Sequence, residues 1–167
     1  MDFVPLTGPS QFAPVPNVVP VEHMVGDDEE DTALLREMLE QAKSYALSFS
    51  WCDSIENAYF GGGVGKIFAI FLFKITTKSP KVPAWEWIIV GDAPRAYLPL
   101  KDANSGLEVF DIYIEGMERW VNCARQGRDP ILEDCVPPIN VPATPEWAEN
   151  LSGRLRLLKE LIRPYFE

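Results

Sequence analysis

The stretch Ile67–Ile75 (IFAIFLFKI), echoed by Trp85–Val90 (WEWIIV), decides the fold of this 167-residue chain. Both runs are too short for free-standing helices and too continuously apolar for strands wetted on one face. Strands of this kind need cover on both sides. Around them, Trp51–Phe60 reads as a first strand, Gly61-Gly62-Gly63 as its turn, and Val64–Ile75 as the second strand. The third strand is Trp85–Val90. Gly91-Asp92-Ala93-Pro94 punctuates it, and Ala96–Leu98 supplies a short fourth strand or the tail of the third.

Three helices are predicted. The first runs from about Asp31 or Thr32 to Ser48, with Leu35, Met38, Leu39, Ala42, Ala46 and Phe49 forming one apolar stripe. Ser105-Gly106-Leu107-Glu108 is a capping box that opens the second, which Gly127 ends. Thr144-Pro145 opens the third, whose expected buried face is Trp147, Leu151, Leu155, Leu158, Leu161, Ile162 and Tyr165. Strands joined by short turns pair antiparallel. The expected architecture is therefore α+β: an antiparallel sheet of three to four strands packed by three helices, as one domain over residues 27–167. Residues 1–26 carry Pro5, Pro9, Pro14, Pro16 and Pro20 and read as an extended arm. That arm can strap across the domain or dock on another copy.

Composition narrows the function. A net charge of −10 makes nucleic acid and anionic membranes poor partners. The longest apolar run, Ile67–Phe73, is far below the roughly 20 residues of a membrane-spanning helix. The N-terminus has no basic residue before His23 and no apolar h-region, so no secretory leader is expected. Cys52, Cys123 and Cys135 lack CxxC spacing and read as reduced thiols of a cytoplasmic protein. With one histidine and no ligand spacing, neither a metal nor a cofactor is expected. Gly61–Lys66 is not a phosphate loop: Phe60 replaces the first glycine, Ile67 replaces the hydroxyl residue, and a strand follows instead of a helix.

Two sets of candidate residues remain. The acids Asp27, Asp28, Glu29, Glu30 and Asp31 would attract a basic protein, and Trp85, Trp87 and Tyr97 would form an exposed aromatic anchor on the sheet for a protein partner. The other set is a carboxylate cleft of Asp53, Glu56 and Asp92, with Arg95 or Lys66 holding an anionic group, as a small enzyme would use. The absence of a usable imidazole favours the non-enzymatic binding protein.

The block Trp51-Cys52, Tyr59-Phe60-Gly61, Phe71-Leu72-Phe73, Trp87–Leu98 (WIIVGDAPRAYL) and Thr144-Pro145-Glu146-Trp147 resembles a family of uncharacterised bacterial proteins. The likeness extends over most of the chain after Leu34 and leaves the acidic run and the arm outside it. It implies a compact bacterial cytoplasmic protein and carries no catalytic residues with it. Small acidic bacterial proteins without catalytic signatures often bind a partner, as immunity proteins bind a toxin, an analogy of size and charge and not of motif.

Overall fold

A computed structural model of the chain describes residues 13–130 and 141–167. Its centre is a five-stranded antiparallel meander, in spatial order β1 (Val19–Pro20), β2 (Ser54–Val64), β3 (Phe68–Thr76), β4 (Trp85–Gly91) and β5 (Ala96–Pro99). Helix α1 (Glu29–Leu47) covers one face, and α2 (Gly106–Arg125) with α3 (Pro145–Leu157) covers the other. This is why β3 reads as continuously apolar. Phe68, Ile70 and Leu72 point to the α2–α3 side, Ala69, Phe71 and Phe73 point to α1, and all six are fully buried. Ile70 lies opposite Ile89 of β4.

The strand count exceeds the expected three to four because the arm supplies β1. Val19 and Pro20 pair with Phe60 and Tyr59 at the sheet edge, where a proline is tolerated because an edge strand leaves part of its hydrogen-bonding positions unpaired. Val21 and Met24 are buried beyond it. Residues 13–26 therefore belong to the domain, and residues 1–12 of the expected arm lie outside the described residues.

Three further expectations are corrected. The hairpin turn is at Gly65–Ile67, and the glycine triplet lies inside β2 at a register shift between Phe60 and Gly62. Gly62 has φ +132°, and a Cβ there would run into the Phe166 ring, so the triplet gives β2 a bulge and room for the C-terminus. In α3, Leu151, Leu155, Leu158 and Ile162 are buried, whereas Trp147, Leu161 and Tyr165 are exposed. The buried residues keep three- and four-residue spacing through the π turn at Leu158–Ile162, so the buried stripe is shorter and narrower than expected: Trp147 sits in the first turn of α3 and Tyr165 beyond the π turn. Finally, Cys52 is a free thiol but Cys123 is disulfide-bonded, so the three cysteines are not all reduced. Cys135 is outside the described residues. Because disulfides persist in oxidising compartments, cysteine usage gives no support to a cytoplasmic address.

The helix starts follow their local chemistry. Ser105 accepts the Glu108 amide at 3.2 Å, while the Glu108 carboxylate reaches back to the Asn104 amide at 2.6 Å. Thr144 accepts the Trp147 amide at 3.2 Å, with Pro145 at the first helical position. Among the described residues, no helix is long and apolar enough to cross a membrane.

Candidate functional site

The expected carboxylate cleft does not form. The Asp53 amide bonds the Thr76 carbonyl at 2.9 Å, and the Asp92 amide bonds the Ile67 carbonyl at 2.9 Å. Those carbonyls are at opposite ends of β3, about 30 Å apart at the rise of an extended strand. Asp92 is instead ion-paired with Arg154 at 2.6 Å, and Glu56 stands 3.6 Å from Lys74. Arg95 lies over the Tyr45 ring, with Cζ 4.9 Å from its centroid. Lys66, φ +70°, occupies the β2–β3 turn, adjoining Gly65, whose amide donates to Asp31.

The expected aromatic anchor is divided by the sheet. Trp87 is fully buried on the α2–α3 face and donates its indole N–H to the Ala103 carbonyl at 3.0 Å. Trp85 packs beside Tyr59 on that same side, with the Lys74 ammonium 6.0 Å from its ring. Tyr97 lies opposite Ile88 in the β4–β5 register, and so belongs to the α1 face.

There Tyr97 joins rings that the sequence reading did not single out. Its centroid is 5.0 Å from Phe49 and 5.1 Å from Trp51; Phe49 and Trp51 stack at 5.1 Å, and Tyr45 meets Phe49 edge-on at 5.0 Å. Each such pair contributes about 0.5–1.5 kcal/mol beyond area burial. The cluster is only partly covered: Tyr97 is 43% exposed, and the neighbouring helix end presents Leu47 at 48%. Tyr45 and Phe49 are four residues apart on or just beyond α1, which was a visible sign. Their meeting with Trp51 and Tyr97 is tertiary. Burial raises the Tyr45 hydroxyl pKa, assisted by Tyr97 and opposed by Arg95, so the phenol stays neutral.

The acidic run is half structural. Asp28 caps α1 by accepting the Asp31 amide at 2.8 Å; Asp31 accepts the amides of Gly65 at 2.6 Å and Asp27 at 2.8 Å; Asp27 accepts the Tyr165 hydroxyl at 2.9 Å. The helix begins at Glu29, two or three residues earlier than expected, because the acids themselves form the cap and first turn. Glu29 and Glu30 are free to face solvent, and the exposed surface of α1 continues through Glu37, Glu40 and Ser44 to the ring cluster. At 1.5 Å per residue this face is about 28 Å long.

One buried acid escaped the sequence reading, although a carboxylate inside WEWIIV was its signal. Glu86 is 3% exposed, its Oε2 has no hydrogen-bond partner among the described residues, and desolvation with help from Asp102 raises its pKa to about 7. Nearby Cys52 is raised too, by burial first and then by Asp53 and Glu86. A raised thiol is less nucleophilic at neutral pH, so Cys52 is no activated cysteine. No group of three or more potential metal ligands occurs among the described residues.

Compared with family models, curated proteins and solved structures, the chain matches none.

Proposed function

We propose that this chain is a non-enzymatic protein-binding protein that holds a basic partner on the outer face of α1. The observation that carries the reading is the make-up of that single helix. It bears four exposed acids (Glu29, Glu30, Glu37, and Glu40, which stands 3.5 Å from Lys43) against exposed Arg36, and it ends in a half-open cluster of Tyr45, Phe49, Trp51 and Tyr97 with Arg95. Tyrosine, tryptophan and arginine are the residues enriched in binding hot spots, and an acidic approach surface speeds encounter with a cationic partner. A partner with a basic stripe and an apolar knob at its end complements both parts. The bacterial origin that the sequence resemblance implies, and the immunity-like analogy of size and charge, are compatible with this reading. No observation favours the carboxylate-cleft enzyme, whose acids lie at opposite ends of β3.

A photo-crosslinking amino acid placed at Glu37 or Ser44, in the cells that make the protein, tests the reading. The expected outcome is one basic protein joined from both positions and not from Glu115 on α2. Equal labelling from Glu115, or an acidic protein as the product, would overturn it.

A further inference from the structure

A groove of about 460 Å³ lies between the C-terminal half of α2 and α3, on the opposite side of the sheet from α1. Each helix offers it residues at three- and four-residue spacing, so one face of α2 looks directly at one face of α3. Val121 and Leu155, both buried, form an apolar floor. The walls are polar and carry three cations, Arg125, Arg156 and Lys159.

Two of those cations already span the groove. Arg125 donates to Glu149 at 2.6 Å and to Ser152 at 3.1 Å, and Lys159 donates to Glu118 at 2.8 Å. These pairs hold the walls in place. Arg156 is different: among the described residues it makes no hydrogen bond or ion pair, and acts on Glu149 only at longer range. A guanidinium has five donors in a planar fork that matches a phosphate or carboxylate edge. The lining thus sets three cations against one carboxylate, Glu118, with Glu149 as a further partner of Arg125, in a chain whose net charge is −10.

We propose that this groove binds a small organic oxyanion, a phosphate monoester or carboxylate carried on a short apolar body. Arg156 takes the oxyanion edge, the Asn122 amide lies within the same lining to add a donor, and Val121 and Leu155 receive the apolar body. The volume falls within the roughly 300–1,000 Å³ of small-molecule sites, while six of the eight lining residues are polar or charged, which suits a charged head group more than a large apolar body. A polyanion such as nucleic acid would meet the repulsion of the whole chain, whereas a small anion meets only the local field.

The test is an amide NMR titration of the full chain with phenyl phosphate, benzoate and inorganic phosphate at constant ionic strength. Saturable shifts at Asn122, Ser152 and Arg156 with phenyl phosphate or benzoate support the site, and the tighter of the two assigns the head group. Inorganic phosphate, lacking the apolar body, should bind about tenfold more weakly or worse. Arg156→Gln, an exposed change whose fold is checked by its melting temperature, should weaken binding at least tenfold. Amides on α1 should stay still, which separates this site from the partner-binding face. Shifts that never saturate, an unchanged affinity in Arg156→Gln, or equal binding of inorganic phosphate would overturn the proposal.

Discussion

Replacing Glu86 with Gln should make the protein more stable, and only at neutral and alkaline pH. The Glu86 carboxyl is buried, has one oxygen without a partner among the described residues, and has its pKa raised from 4.5 to about 7 by desolvation and by Asp102. Between those values the native state holds a proton that the unfolded chain has released, so stability falls as pH rises through the window. The full loss is about 3 kcal/mol, of which about 2 kcal/mol develops between roughly pH 5.5 and pH 8.5. Gln keeps the shape and does not titrate. Urea unfolding of both proteins, kept above the isoelectric point of about 4.6 to avoid precipitation, gives the difference. Other acids shift both proteins alike, and any constant cost of the Gln amide cancels in the pH dependence. A stability difference that stays flat within half a kcal/mol across this range would refute the assignment of Glu86 as a buried acid that titrates near neutrality.

The remaining expectations concern the scaffold and the acidic run. Ile70→Ala should cost about 2–5 kcal/mol by urea unfolding, the usual price of a large-to-small change at a fully buried position, and a cost under half a kcal/mol would contradict the doubly covered sheet. Asp31→Ala removes the acceptor of the Gly65 and Asp27 amides and should cost about 1.5–3 kcal/mol, whereas exposed Glu30→Gln should stay within half a kcal/mol; equal costs would deny Asp31 its structural role. Calorimetry of Gly61–Lys66 binding with ATP or GTP and Mg²⁺ should show no heat, because this segment is a bulged strand and hairpin turn with no helix start to receive phosphate.

The sequence made the doubly covered strands legible because burial on both faces removes the alternation a half-wet strand shows. The Ser105 and Thr144 helix starts were legible because capping is local chemistry. What escaped depended on contacts across the fold. Three consecutive glycines suit a turn and a bulge equally, and only the seat of Phe166 against Gly62 separates the two. Trp85 and Trp87 share a face by strand alternation, as read, but the face of Tyr97 is set by its register opposite Ile88 across a turn. The ring cluster draws on α1, its following turn and β5, so no single window contains it. Asp53 and Asp92 are separated by the length of β3, which no spacing in the chain reveals.

The most direct measurement is the kinetics of the crosslinked partner binding to purified variants of confirmed fold. If α1 is the binding face, Glu30→Gln, Glu37→Gln and Glu40→Gln together should slow association several-fold at low salt and flatten its salt dependence. Trp51→Ala or Tyr97→Ala should leave association nearly unchanged and speed dissociation about 30-fold or more, the mark of a hot spot worth about 2 kcal/mol or above. On-rates and off-rates that ignore both sets of substitutions would contradict the account.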